Sequence, residues 1–362
     1  MILPNTYIVA LLLAVLASVC CGSWANAYKL AGKQRFELFY WDFALGVMLA
    51  ATVAALTFGS LGFDFGGDVG GFAFFDDLMR SSKHSWFYGM AAGAVFNLGT
   101  ILLVAAMSLA GMSLAFPVGL GLAVAVGLLL DYALRPHVNA AVLLATVVLV
   151  LAAVLLDVAA YRAVALKRAR EAIKSGRTKS TKVTASWKGI VLAAIGGPLV
   201  ALCSPLVDLS RAPEMGLGPY AAAFMFAAGV FASTFVYNLF FMNLPVQGLP
   251  IELLEYFKQP KKSHLLALLG GMTLTAGTVS LFVASSATAA GASAGAEPVP
   301  LLGPATGVFV SLAATLLSGL WGVLVWKEFA DAPGRARGLI ALTLVLLVAG
   351  LALVLLAPPF GA

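Results

Sequence analysis

A few polar side chains lie inside the long apolar stretches of this sequence, and they are its candidates for chemistry. The neutral ones nearest the middle of their stretches are Asn97, Asn238 and Thr275. An amide carries both hydrogen-bond donors and an acceptor, which suits the hydroxyl or ureido groups of a neutral solute. The alternative interpretation is that Asn and Thr side chains of this kind hold neighbouring helices together.

Tryptophans near the ends of two apolar stretches form a second candidate group. Trp24 and Asn26 end the first stretch, and Trp321 lies late in the ninth. An indole face can stack on a sugar or a planar heterocycle, although an interfacial aromatic belt is the alternative role of Trp24 and Trp326. Together the predicted substrate-binding residues are Asn97, Trp24, Asn26, Asn238, Thr275 and Trp321.

Two carboxylates are candidates for proton coupling. Asp42 begins the second apolar stretch, and Asp157 lies about one turn inside the fifth. A carboxyl group that moves between wet and dry surroundings changes its proton affinity, which is what coupling to a proton requires. For Asp131, Asp208 and Glu328 we expect solvated helix ends instead.

The absence of charged residues from the middle of the apolar stretches restricts the class of solute that the protein can carry. No Lys or Arg lies in the middle of a stretch, where each would cost about 2.5–3.5 kcal/mol. Carriers of sugar phosphates or nucleotide sugars need such cations, so these cargoes are disfavoured. The first stretch also has no central carboxylate, which argues against a cation-efflux pump. A neutral solute remains.

Catalytic motifs are missing from the sequence. It contains no HExxH, Walker A or nucleophile-elbow motif. The histidines are expected in loops, too scattered to ligate zinc or haem, and the cysteines behave as small apolar residues. These residues are His84, His137, His264, Cys20, Cys21 and Cys203. We therefore predict no enzyme, metal or cofactor, and an integral-membrane enzyme without a known motif is the alternative from another class.

The elements that position these residues follow from composition. The 362 residues are 61% hydrophobic and 10% charged, whereas soluble domains carry about 25% charged residues. At about 20 residues per crossing there is room for roughly ten spans, and only helices satisfy the backbone of such continuous runs in lipid. The sequence predicts an all-α integral membrane protein. Its expected spans are 5–28, 40–60, 86–110, 113–131, 138–161, 188–208, 218–245, 264–288, 301–325 and 338–357.

The placement of Lys and Arg predicts the orientation in the bilayer. Most of the 22 basic residues fall in the loops after spans 1, 5, 7 and 9. The positive-inside rule makes these loops cytoplasmic, so both termini of this cell-membrane protein are predicted to be extracytoplasmic. The net charge of +6 is thus a topology signal. A nucleic-acid partner is not expected, because the basic residues lie in short loops between spans.

The chain is predicted to divide into two halves of five helices. Residues 1–161 form the N-terminal half and residues 188–362 the C-terminal half, joined by a basic cytoplasmic linker at 162–187. Residues 61–85 form an acidic, Gly-rich and aromatic extracytoplasmic insert, which is either a solvated loop or a lid.

A matched acid and proline suggest that the halves are repeats. Asp131 precedes Pro136 at the end of span 4, and Glu328 precedes Pro333 at the end of span 9, with the same spacing. A shift of five spans inverts the direction of crossing. This pattern is typical of inverted-topology repeats, in which two openings are related by symmetry.

The same features resemble a known group of transporters. The five-plus-five layout, with acids closing spans 4 and 9, resembles the drug/metabolite transporter superfamily. The segments LLAVLASVCCGSWA ending at Ala25, YWDF at 40–43 and ALTFG ending at Gly59 resemble plant ureide permeases. Asn97 followed by GMSLAFP at 111–117 resembles both those permeases and the bacterial glucose, ribose and rhamnose uptake proteins.

This resemblance implies uptake of small, neutral, polar solutes, often coupled to protons. Our hypothesis is a secondary transporter that takes up a sugar or a ureide such as allantoin by alternating access, with a co-transported proton. A drug or metabolite exporter of the same fold is the alternative within the class.

Overall fold

The computed structural model of this chain is described over most of its length. The described residues are 1–32, 34–60, 73–134, 140–174, 187–212, 215–288, 301–302 and 306–356.

Within these residues the structure is an all-α bundle, and ten helices are long and apolar enough to cross a membrane, as predicted. The helices are α1 (Tyr7–Ser23), α2 (Asn26–Ala31), α3 (Phe36–Leu56), α4 (Phe74–Arg80), α5 (Lys83–Ala110), α6 (Met112–Leu134), α7 (Ala140–Lys174), α8 (Trp187–Ser210), α9 (Pro219–Asn243), α10 (Leu254–Phe257), α11 (Lys261–Ser285), α12 (Thr306–Leu320) and α13 (Gly334–Leu356). A π-helical turn, Trp321–Val325, continues α12. The chain is a multi-pass membrane protein in which α1 and α2 together form the first span.

Two predicted connecting segments are partly helical. α7 runs on to Lys174, because the sequence there is rich in Ala, Leu, Lys, Arg and Glu, which are strong helix formers. The rest of the predicted linker, residues 175–186, lies outside the described residues. In the predicted insert, α4 spans Phe74–Arg80 and α5 begins at Lys83, while residues 61–72 lie outside the described part.

The ends of the spans and the segments that connect them lie at two opposite faces of the bundle. We call the face that carries the connections after spans 1, 5, 7 and 9 the basic face, because most of the Lys and Arg residues belong to these connections. On the basic face, where α2 ends and α3 begins, Arg35 Nη1 donates to the Leu249 carbonyl at 3.3 Å. On the opposite face, where α3 ends and α9 begins, the Tyr220 hydroxyl donates to the Ile2 carbonyl at 2.9 Å. Each face is thus held together by contacts between segments that are distant in sequence.

The packing of the spans follows one scheme twice. α5 packs against α8 and α9, while α11 packs against α1 and α3; α6 packs against α8, while α12 packs against α1. The remaining large contacts pair α3 with α9, α6 with α12, α7 with α13 and α6 with α7, and the last of these has a smaller counterpart between α12 and α13. Exchanging the first five spans for the last five reproduces this scheme.

Glycines at two helix crossings repeat the scheme at residue level. A Cβ on Gly93 of α5 would overlap the Phe226 carbonyl of α9, and a Cβ on Gly271 of α11 would overlap the Phe43 carbonyl of α3. Small residues of this kind let helix backbones approach closely. The reverse contacts are equally matched, between Gly229 and Met90 and between Gly46 and Leu268. In these matched pairs the α9 residue always lies the same number of positions after its α3 counterpart, and the α11 residue always lies a second fixed number of positions after its α5 counterpart.

Candidate functional site

Asn97 joins three helices at the centre of the bundle. Its side chain is fully buried, and its Oδ1 accepts from the Tyr40 hydroxyl at 2.9 Å. Its Nδ2 donates to the Val230 carbonyl at 3.1 Å, to Ser233 Oγ at 2.8 Å and to Thr234 Oγ1 at 3.0 Å. Because the amide is fully engaged with α3 and α9, Asn97 holds helices together in this conformation.

Thr275 makes the corresponding contact in the second half. It is buried in α11, and its Oγ1 donates to the Val47 carbonyl of α3 at 3.2 Å. By the constant offsets of the glycine crossings, Thr275 corresponds to Asn97 and Val47 corresponds to Val230. The middle of the bundle therefore contains two matched hydrogen bonds, each from one half to a carbonyl of the other.

A small central cavity lies beside these bonds. It has room for about 10 Å³, which is about the space of one water molecule. It is lined by Val47, Ala223, Phe226, Ala227, Val230, Leu274, Thr275 and Thr278. All of these side chains are uncharged. Ala223 of α9 stands at the position that corresponds to Tyr40 of α3, so the first half places a phenol ring where the second half leaves a gap.

Asn238 lies on α9, away from the lining of the central cavity. It is fully buried, and its Nδ2 donates to the Glu37 carbonyl at 2.8 Å. Its Oδ1 has no hydrogen-bond partner among the described residues. Asn238 therefore ties α9 to the start of α3 and retains one open acceptor.

Trp24 is part of the aromatic core. It is 5% exposed, and its ring centroid lies 4.8 Å from that of Phe43 and 5.6 Å from that of Phe116. This burial contradicts the alternative of an interfacial belt for Trp24, because a belt residue reaches the lipid headgroups. Packing against α3 and α6 explains the burial.

Asn26 and Trp321 lie on a seam between the first span and the end of α12. The Trp321 Nε1 donates to Ser23 Oγ at 2.9 Å, and the Trp326 Nε1 donates to Asn26 Oδ1 at 2.6 Å. The indole N–H of Trp326, which an interfacial belt residue would direct to the lipid headgroups, is thus bonded to α2. The structure brings Asn26 and Trp321 close to each other, but neither lines the central cavity with Thr275.

Asp42 has two partners that the sequence interpretation missed. The Tyr256 hydroxyl of α10 donates to its Oδ1 at 2.5 Å, and the His264 Nδ1 lies 2.6 Å from its Oδ2. Burial, with the bond to Asp42, raises the pKa of Tyr256, so the phenol keeps its proton. The expectation that His84 and His264 lie in loops is wrong: His84 belongs to the first turn of α5 and His264 to the first turn of α11. Both helices begin earlier than their apolar runs, because Lys83, Lys261 and Lys262 are also helical.

Asp157 is the second carboxylate predicted for coupling, and it stands apart from Asp42. It is 2% exposed on α7, and its Oδ2 has no hydrogen-bond partner among the described residues. Asp157 therefore retains one oxygen that can accept a further hydrogen bond inside the bundle.

Glu328 is not the solvated helix end that we expected. Its side chain is 15% exposed, and its carboxylate accepts from the backbone N–H of Met112 at 3.0 Å and of Ser113 at 2.8 Å. Lys29 Nζ and the Ser113 hydroxyl donate to it as well. Gly111, at φ 92°, connects α5 to α6, and a Cβ at this position would come within 2.7 Å of the Glu328 Oε2. The carboxylate thus binds the N-terminus of α6, where negative charge is favoured.

The same segment also holds the end of α7. Arg168 Nη2 donates to the Glu328 carbonyl at 2.7 Å, and Lys167 Nζ donates to the Asp331 carbonyl at 2.8 Å. The π-helical turn and Lys327, at φ 49°, shape the chain just before Glu328. We call Lys29, Ser113, Arg168 and Glu328 the basic-face clamp. Its residues are distant along the chain, so no local sequence pattern marks the clamp.

Fold and site together define a membrane helical bundle with a closed, uncharged central cavity and a charged clamp at one face. Comparison with known proteins is in agreement. The family model for ureide permeases matches residues 39–190. Ureide permease 1 of Arabidopsis thaliana is 22% identical over 394 residues, covering 94% of this chain and 95% of the relative. Ureide permease 2 of the same plant is 23% identical over 370 residues, covering 87% and 88%.

A solved crystal structure aligns with 95% of this chain and 95% of its own, with a TM-score of 0.47 and 17% identity. The sequence resembles the ureide permeases over nearly the whole length of the chain.

Proposed function

We propose that this protein takes up a small, neutral, polar solute of the ureide class, such as allantoin, across the cell membrane. The observation that carries the proposal is the central cavity, whose lining has two hydroxyls and no charge. The names of the similar permeases support the ureide class. A sugar is the second candidate, because hydroxyl groups would meet Thr275 and Thr278 equally well.

The mechanism that we propose is alternating access by two inverted repeats, residues 1–161 and 188–362. The exchanged packing scheme supports it, as do the matched bonds of Asn97 and Thr275 to carbonyls of the opposite half. Repeats that can swap conformations give one site two openings. The basic face is then cytoplasmic and both termini are extracytoplasmic.

For substrate binding we assign different parts to the predicted residues. Thr275 lines the site directly, and Asn97 positions the helix that carries Val230. Asn238 keeps an open acceptor on the same helix as the cavity wall. Trp24 holds the first span against α3 and α6, and Asn26 and Trp321 act at the seam between the first span and α12, which slides when the clamp opens.

For proton coupling we assign Asp42, with His264 and Tyr256 as its partners. The three side chains connect α3, α10 and α11 at the basic face. A proton delivered to the Asp42 carboxylate would remove the negative charge that holds His264 and Tyr256, and so free α11 to move. Asp157 is the second candidate, since a buried carboxyl with an open oxygen can exchange a proton when water reaches it.

Uptake by proteoliposomes tests the proposal. Radiolabelled allantoin, glucose, rhamnose and ribose are offered with and without an inward proton gradient. We expect allantoin to accumulate, faster with the gradient, and D42N to abolish the effect of the gradient while D208N preserves it. Accumulation of none of the four, together with export of a hydrophobic dye, would reject uptake in favour of an exporter.

A further inference from the structure

A second, larger cavity lies at the basic face. Its volume is about 270 Å³, close to the lower end of the range for small-molecule sites. Its lining residues are Tyr28, Lys29, Gly32, Gln34, Arg35, Phe36, Met107, Ser108 and Gln247. It shares no lining residue with the central cavity. We call it the basic-face cavity.

The charges around this cavity are already balanced. Lys29 is paired with Glu328, and Arg35 is paired with Glu37 at 2.8 Å. Two cations and two carboxylates leave no net charge among these four groups. An anion bound here would have to compete with two ion pairs, so the cavity favours a neutral occupant.

One lining residue lacks the partners that its chemistry requires. The side chain of Gln34 is 8% exposed, and neither its Nε2 nor its Oε1 has a hydrogen-bond partner among the described residues. The neighbouring contact of Tyr28 reaches only the backbone carbonyl of Gln34, at 3.1 Å. Burying an amide without hydrogen-bond partners costs free energy. A ligand that supplies those partners would remove this cost.

We propose that the basic-face cavity is a binding site for a small neutral urea or carboxamide, recognised by the side chain of Gln34. A carboxamide and a urea each present an N–H beside a C=O, so the two can pair through two parallel hydrogen bonds. Gln247 and Ser108 add polar groups to the wall, and Tyr28 and Phe36 add aromatic surface. Gln34 must turn its amide from the wall into the cavity when the ligand binds.

The proposed function contributes only the choice of ligand class, because binding here requires no transport. If allantoin binds through Gln34 but never accumulates in vesicles, this site stands and the uptake proposal fails. If allantoin accumulates without any contribution from Gln34, the reverse holds.

Site-directed protection tests the proposal on the full-length chain in lipid nanodiscs. Cys20, Cys21 and Cys203 are replaced by Ala, S108C is introduced, and its reaction with N-ethylmaleimide is timed with and without allantoin. We expect allantoin to slow labelling several-fold. Q34L should remove this protection, whereas Q259L, the matched change at a glutamine outside the cavity, should preserve it.

Two further arms decide the outcome. A223Y fills the central cavity, so protection of S108C that persists in this variant arises locally and supports the proposal. Direct calorimetric binding of allantoin, weakened about tenfold by Q34L and unchanged by Q259L, would support it independently of the cysteine. Protection or affinity that is the same in Q34L and Q259L would overturn it.

Discussion

The two halves of the bundle use the same backbone contacts around different side chains. In the first half, Tyr40 fills the space beside the crossing and donates to Asn97, which is bonded in turn to α9. In the second half, Ala223 and Thr275 stand at the corresponding positions, with one bond to α3 and a cavity beside it. Where the first half is filled, the second half is open.

Under the repeat that we propose, this difference shows how one half could acquire a substrate site that the other half lacks. Two matched halves give two matched crossings, and one large-to-small difference at a single position leaves an opening in only one of them. The central cavity is lined by side chains of the second half, with Val47 added from the first. The predictions below disturb this asymmetry, beginning with the largest effect.

A223Y should have the largest effect, because it gives the second half the ring that the first half already has. We expect allantoin uptake to fall at least about tenfold while the protein remains monodisperse on size-exclusion chromatography. A223S, which hardly changes the volume, should transport normally. Full transport by a folded A223Y protein would mean that the solute does not use this cavity.

N97A should lower the free energy of unfolding more than T275V does, because it leaves more hydrogen-bonding groups without a partner. Loss of the amide leaves the Tyr40 hydroxyl and the acceptors on α9 unpaired, at a cost of about 2–4 kcal/mol. T275V removes a single bond, worth about 1 kcal/mol in a membrane bundle. Thermal unfolding in detergent measures both. Equal losses would show that the two halves contribute alike.

D77N should have the smallest effect, and it concerns the opposite face. Asp77 of α4 accepts from the Gly218 N–H at 2.9 Å, and burial raises the pKa of Asp77 despite the opposing effects of that bond and of Arg80. An acid with a raised folded-state pKa contributes stability at low pH that is lost as the pH rises through that pKa. The unfolding temperature should therefore fall as the pH rises above about 4, the ordinary pKa of an Asp side chain, and it should fall less in D77N. An equal slope in both proteins would contradict this.

The sequence predicts the spans well and their contacts poorly. Ten apolar runs are visible because each must satisfy lipid locally. The pairing of Asp42 with His264 and the clamp at Glu328 join residues that are distant along the chain, so no local pattern marks them. Asn97 was found because a lone amide in an apolar run is conspicuous, but its bonding to Tyr40 and α9 depends on packing. Gln34, outside any span, gave no signal.

The central claim is that the two faces open in alternation, and paired accessibility measures it most directly. In protein without native cysteines, S108C reports on the basic face, and S286C, at the end of α11 beside Arg211, reports on the opposite face. E328Q weakens the basic-face clamp, whereas E171Q alters a solvent-exposed acid and serves as its control. We predict that E328Q speeds labelling of S108C and slows labelling of S286C. Labelling of both positions that changes in the same direction would contradict the claim.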